Sequence, residues 1–122
     1  MLGTAYALTV LLALGIFAIG LLYLFAPEKN AAGFGFASVP PGPNPLYRIK
    51  GIRDLGTGLA LVAALLAGGP AVAGWVLLAE TFIPVGDMTA ILAGNGKKAV
   101  AFGVHGATAA AMLVVSALLL LG

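Results

Sequence analysis

The sequence predicts an all-α integral membrane protein folded as a four-helix bundle. Of its 122 residues, 61% are hydrophobic and only 8% are charged, and the mean hydropathy is +1.12. A soluble fold would leave far too much of this apolar surface in water. Four stretches, residues 4–25, 46–67, 70–92 and 99–121, are each long enough to cross about 30 Å of hydrocarbon, which takes roughly 20 helical residues. We therefore predict a single four-span domain over residues 1–122.

The basic residues lie in or beside two connections, and their distribution predicts the orientation of the chain. They are Lys29, Arg48, Lys50, Arg53, Lys97 and Lys98. The positive-inside rule places the connections 28–44 and 94–98 in the cytoplasm and both termini outside, for which we expect a bacterial inner (cell) membrane. Six basic residues divided between two short connections form no stripe that follows a nucleic-acid backbone, so we expect no nucleic-acid partner.

The first span is expected to be retained, because it lacks the basic region that precedes a signal peptide's apolar stretch. It contains no ionisable side chain and ends at Pro27. The next connection carries Phe34, Phe36 and Val39, which are too apolar for a solvated linker. We expect it either to lie on the bilayer surface or to fold back as a lid.

Capping, glycine and proline residues define the ends and bends of the remaining spans. Asn44 and Pro45 predict a helix start, with asparagine as the N-cap and proline at the first helical position. Gly68-Gly69-Pro70 predicts a tight hairpin between the second and third spans. Pro84 cannot donate to the carbonyl of Glu80, so we expect a bend there in the third span.

Beyond Arg48 and Lys50, which we assign to the basic connection, five charged or histidine side chains fall inside the predicted spans. They are Arg53, Asp54, Glu80, Asp87 and His105. Glu80 and Asp87 are about two helical turns apart and so share a face, and all five lie in the cytoplasmic half or middle of the bundle. A lone carboxylate costs about 2.5–3.5 kcal/mol at the centre of a span, so these groups must face one another or a polar cavity. With Arg53 as the only counter-ion, the carboxyls are in excess, which predicts a protonated carboxyl or a charged His105.

Two interpretations of this cluster stay open at the level of sequence. In one, Arg53, Asp54, Asp87 and His105 form a satisfied polar core that fixes helix register. In the other, they line an inward-opening pocket for a small amphiphilic molecule or a proton, because ionisable groups within membranes are functional candidates by default. A single histidine without cysteines makes no persuasive metal site, and we expect neither a metal nor a cofactor.

The stretch Gly51-Ile52-Arg53-Asp54-Leu55-Gly56-Thr57-Gly58-Leu59 opens the second span, with Pro84 and Asp87 late in the third and His105 early in the fourth. This pattern resembles the small four-span membrane proteins grouped as domain of unknown function 4267. The resemblance implies the four-helix architecture and the choice of Arg53, Asp54, Asp87 and His105, whereas Glu80 lies outside the pattern. A more distant similarity is to DoxX-like membrane proteins, but no haem-ligand pair or redox cysteine is present here.

Three functions compete, and the sequence leaves open whether the protein is an enzyme. The first is a pocket for an apolar or amphiphilic molecule from the membrane, in which Asp87 and His105 perform acid–base chemistry of the isomerase or cyclase type. Arg53, Asp54 and Glu80 would be electrostatic or ligand-binding partners. The second is a proton-coupled transporter that works as a homo-oligomer. The third is an accessory subunit of a larger membrane complex, packed through its many glycines.

Overall fold

The structure, a computed structural model, describes residues 2–122 and confirms the all-α fold class. No strand occurs among these residues. The helices are α1 (Leu2–Phe25), α2 (Pro27–Ala31), α3 (Pro45–Glu80), α4 (Phe82–Ala93), α5 (Lys98–Val100), a π-helical segment (Ala101–Gly106) and α6 (Ala107–Leu121).

Helix α3 reverses direction at Gly69, where the backbone has φ 74° and ψ −168°. The Arg53 guanidinium consequently lies 3.3 Å from the Asp87 carboxylate, although 34 residues separate them in the chain. In a straight helix they would be about 51 Å apart. The hairpin predicted at Gly68-Gly69-Pro70 is therefore present. Only glycine adopts this positive φ without a steric penalty.

Three continuous helical stretches are long and apolar enough to cross a membrane, namely Leu2–Phe25, Pro45–Ala93 and Lys98–Leu121. The second stretch has 49 residues and contains the hairpin, so it crosses twice and the bundle has four spans. Large apolar side chains cover the outer surface of the bundle, among them Leu11, Leu14, Leu66, Phe82 and Leu121. Such a surface suits lipid and not water, and the protein is a membrane protein.

Helix α1 packs directly on the first half of α3 through glycines. A Cβ atom on Gly20 would lie 2.7 Å from the Gly51 carbonyl oxygen, and one on Gly58 would lie 2.8 Å from the Ala13 carbonyl oxygen. No side chain fits between these backbones. Close approach of this kind is how membrane helices associate when lipid supplies no hydrophobic driving force between them.

Two buried clusters stabilise the opposite ends of the bundle. The larger one lies towards the Gly69 hairpin, at what we call the hairpin end, and consists of Ala5, Ala13, Leu61, Ala73, Leu77, Met112, Val115 and Leu119. The smaller one contains Tyr23, Ala31 and Tyr47 with Phe34 packed against them. It lies at the loop end, where the connections after α2 and α4 meet, because the Lys97 amide donates to the Gly35 carbonyl over 2.8 Å.

The helix boundaries agree with those predicted from the capping, glycine and proline residues. Asn44 caps α3, since its side chain accepts a hydrogen bond from the Leu46 amide at 3.0 Å. The third span is interrupted at Thr81, within the turn between Glu80 and Pro84 where we predict the bend. Because proline cannot donate to the carbonyl one turn earlier, the regular hydrogen-bond pattern fails in the turn before Pro84. The Thr81 hydroxyl donates to the Leu77 carbonyl at 2.9 Å, and the same carbonyl accepts from the Thr81 amide at 3.1 Å.

Candidate functional site

A cavity of about 310 Å³ lies inside the bundle, between the hairpin-end cluster and the loop end. All four spans contribute to its wall. The ionisable side chains on the wall are Lys50, Arg53, Asp54, Glu80, Asp87 and His105. Much of the remaining wall is apolar and includes Ile16, Ile19, Ile83, Val104 and Met112. The five site residues predicted from the sequence are thus brought to one cavity, and Lys50 joins them.

Three ion pairs lie beside the cavity, two of them within α3 and one between α3 and α4. Lys50 Nζ lies 2.6 Å from Asp54 Oδ2, which is a short, charge-assisted hydrogen bond. Arg53 Nη2 lies 3.5 Å from Asp54 Oδ1 and 3.3 Å from Asp87 Oδ2. The arginine contacts are long, so Lys50 is the closer partner of Asp54. Arg53 contributes a bridge across the hairpin to Asp87.

Lys50 corrects the charge balance expected from the sequence. The sequence places this residue in the basic connection, which leaves Arg53 as the single counter-ion and the carboxyls in excess. Lys50 instead turns inward, and its ammonium lies 4.1 Å from the centre of the Tyr23 ring and 5.3 Å from that of Phe34. Two cations therefore face Asp54 and Asp87, and the charges of the paired cluster sum to zero. A signal was available, because Lys50 and Asp54 have the i,i+4 spacing of helical ion pairs.

His105 occupies the π-helical segment at the start of the fourth span and is 8% exposed. Its Nε2 atom lies 2.8 Å from the Phe34 carbonyl oxygen. A carbonyl only accepts hydrogen bonds, so Nε2 carries the proton, and in the neutral ring Nδ1 is the acceptor. We predicted a regular helix here. Single π-helical turns of this kind frequently occur at functional sites.

The connection after α2 packs against the bundle and contributes Gly33 and Phe34 to the cavity wall. The Phe34 ring lies 4.4 Å from the His105 ring and 4.9 Å from Phe36, centre to centre. Tyr47 donates a hydrogen bond from its hydroxyl to the Pro40 carbonyl, which ties the far side of the same connection to α3. We call residues 32–43 the lid. Its contacts reach α3, the π-helical segment and the connection after α4.

Glu80 differs from Asp54 and Asp87 in having no ion-pair or hydrogen-bond partner for its carboxyl among residues 2–122. Its Oε1 atom is buried and has no hydrogen-bond partner within residues 2–122. The residue lies at the end of α3, immediately before the interruption at Thr81. Seven residues separate it from Asp87, which places it about 10 Å further from the loop end along the span. The cavity therefore has an ion-paired region near the lid and an isolated carboxyl deeper in the bundle.

The geometry distinguishes the two residues that we predicted for acid–base chemistry. Asp87 forms an ion pair with Arg53 at 3.3 Å, and its role in such chemistry would be that of a proton acceptor. His105 has an Nδ1 atom free to accept a proton in the tautomer that Phe34 selects. No hydrogen bond joins Asp87 to His105 in the described part of the chain. They share one cavity but do not form a catalytic dyad.

Comparison with known proteins assigns the chain to a family. The family described as Domain of unknown function (DUF4267) has a model that matches residues 13–119, which is most of the sequence, so the chain belongs to this family. That match confirms the resemblance noted from the Gly51–Leu59 stretch with Pro84, Asp87 and His105. No curated protein and no solved structure matches the chain.

Proposed function

We propose that this membrane protein binds a small apolar or amphiphilic molecule in the cavity beneath the lid and that Asp87 and His105 perform acid–base chemistry on it. The observation that carries the proposal is the cavity itself. Its volume of about 310 Å³ is at the lower end of the range of ligand sites, about 300–1,000 Å³. Such sites combine mostly apolar walls with a few convergent polar groups, as this cavity does.

The arrangement of charges supports a role for these residues beyond holding the helices together. Arg53 holds the Asp87 side chain through an ion pair at 3.3 Å, and Lys50 holds Asp54 at 2.6 Å. His105 offers Nδ1 as a second proton acceptor, and its protonated form is a donor at the same atom. A base and an acid on one cavity wall suit the transfer of a proton between two positions of a bound molecule, as isomerases require.

The proposal includes an orientation in the membrane. The two basic connections meet at the loop end through the bond between the Lys97 amide and the Gly35 carbonyl. The positive-inside rule then favours the loop end in the cytoplasm and both termini outside, in a bacterial inner membrane. The lid would face the cytoplasm in this orientation.

Native mass spectrometry of the gently extracted protein tests the binding function. We expect a co-purified small molecule or lipid at a ratio that falls when the cavity residues are changed. Asp87→Asn and His105→Gln keep the shape of each side chain while removing or altering its proton chemistry. We expect both variants to accumulate folded and to lose the pH dependence of ligand binding or turnover. A folded Asp87→Asn protein with unchanged pH dependence would contradict the acid–base role.

A second candidate, proton-coupled transport by a homo-oligomer, draws support from the isolated carboxyl of Glu80. A carboxyl that has no fixed partner can exchange a proton with a passing substrate. Flux of protons with a co-substrate in sealed liposomes would favour this function over binding alone. The third candidate, an accessory subunit, predicts a stable partner chain in the same mass spectra and no small molecule.

A further inference from the structure

We propose that Glu80 binds the hydroxyl group of a long-chain membrane alcohol, and that this is the ligand class of the cavity. The inference deepens the proposed function and rests on it, because it requires that the cavity takes a membrane-derived molecule. Glu80 is a binding residue in this proposal, and it is separate from the residues that we assigned to acid–base chemistry.

The first observation is the state of the Glu80 carboxyl. Asp54 and Asp87 are both held by cations, whereas Oε1 of Glu80 is buried without a partner in residues 2–122. A polar group that is buried in a membrane bundle normally has a partner, since the surrounding lipid supplies none. Glu80 also lines the cavity, so a molecule bound there can pair with its carboxyl.

The second observation concerns which chemical group this partner carries. An ionised carboxylate only accepts hydrogen bonds, and a protonated one donates as well as accepts. A hydroxyl pairs with either form, because it is both donor and acceptor. An ammonium pairs only with the ionised form and would bring a further charge to a site where the nearby positions 83 and 84 are apolar. A carbonyl pairs only with the protonated form.

The third observation is the apolar wall that continues from the cavity to the membrane-facing surface. Ile19 on α1 and Val104 in the π-helical segment both line the cavity, and they are 46% and 52% exposed, respectively. An apolar chain lying along these side chains would extend from the cavity into lipid. The ligand therefore combines one hydroxyl with an apolar chain and comes from the bilayer, not from the aqueous phase.

Photolabelling in liposomes tests this assignment with a matched pair of probes. One probe is a long-chain primary alcohol with a diazirine on its chain, and the other is its methyl ether, which keeps the oxygen acceptor but has no donor. At subsaturating concentration we expect the alcohol to label cavity peptides of the wild type about tenfold more than the ether, a factor that corresponds to about 1.4 kcal/mol.

Three variants complete the experiment. Glu80→Leu should abolish the preference for the alcohol. Glu80→Gln should retain most of it, because an amide oxygen accepts from the hydroxyl and the amide NH₂ donates to it. Glu28→Gln, at an exposed glutamate on α2 outside the cavity, should leave the preference unchanged and serves as the matched control.

The outcomes separate this inference from the function on which it rests. If both probes label the wild-type cavity equally, the role of Glu80 is overturned while a ligand-binding cavity stands. If Glu80→Leu keeps the tenfold preference, the hydroxyl is bound elsewhere and the inference fails. If neither probe labels the cavity peptides, the proposed binding function fails and this inference fails with it.

Discussion

Asp54→Asn should destabilise the protein more than any other single substitution in the paired cluster. Asp54 is buried between Lys50 at 2.6 Å and Arg53 at 3.5 Å, and its side chain is 9% exposed. The four charges of Lys50, Arg53, Asp54 and Asp87 balance as two positive and two negative. Neutralising Asp54 leaves two cations against one carboxylate in a membrane bundle.

The size of the effect follows from burial. Removing one partner of a buried ion pair costs about 3–5 kcal/mol, because the other charge is left uncompensated. The Lys50 side chain is 18% exposed and retains some access to polar surroundings. We therefore expect Asp54→Asn to lower the free energy of unfolding by about 3 kcal/mol, the lower end of this range. Asp87→Asn should cost only about 1 kcal/mol, since Asp87 has a single partner whose side chain is 40% exposed.

A double variant separates charge imbalance from loss of packing. Lys50→Met with Asp54→Leu removes one charge of each sign and leaves the Arg53–Asp87 pair, so stability should return close to that of the wild type. The assay is thermal unfolding of the detergent-purified proteins, with the Asp54→Asn variant expected to show the lowest Tm. A double variant as unstable as Asp54→Asn would refute the charge argument, and so would a fully stable Asp54→Asn protein.

Three other predictions concern packing, topology and the lid. Gly20→Ala should lower Tm, because its Cβ would meet the Gly51 carbonyl at 2.7 Å, whereas Gly15→Ala, with no atom within 4 Å, should be neutral or stabilising. A cysteine at Asn95 should react with an impermeant thiol reagent only after cells are broken. Phe34→Ala should speed the release of the co-purified molecule, because it removes the lid ring from His105.

Each of these expectations has a contradicting result. Equal Tm values for the Gly20 and Gly15 variants would mean that α1 and α3 are not in direct backbone contact. Labelling of the Asn95 cysteine in intact cells would reverse the proposed orientation. Unchanged release kinetics in a folded Phe34→Ala protein would show that the lid does not cover the route by which the molecule leaves.

The helical skeleton was predictable because its determinants are local in sequence. The Asn44 cap, Pro45 at the start of α3 and the reversal at Gly69 each depend on one or two residues with restricted backbone behaviour. The apolar lengths of the spans then fix the number of crossings. The interruption at Thr81 has the same local origin, since Pro84 perturbs the turn that precedes it.

The site was predictable only in part, because several of its contacts join distant segments. The expectation that buried charges must meet brought Arg53 and Asp87 together correctly, since the cost of isolation is large. The bond between His105 and the Phe34 carbonyl spans 71 residues, and no periodicity or spacing encodes it. The inward turn of Lys50 was missed because its position beside the basic connection suggested solvent, although its spacing to Asp54 indicated a pair.

The choice between a polar core and a ligand pocket depends on what the protein leaves unsatisfied. A core that only fixes helix register needs every buried polar group to be paired by another protein group, and it needs no open volume. Asp54 and Asp87 meet the first condition. Glu80 does not, because its buried Oε1 atom has no partner in residues 2–122. The bundle also contains open volume, a cavity of about 310 Å³, which a core that only fixes helix register does not need. An apolar side chain at position 80 would cost less free energy within the membrane than a carboxyl does. The presence of a carboxyl at this position therefore favours a bound ligand that pairs with it.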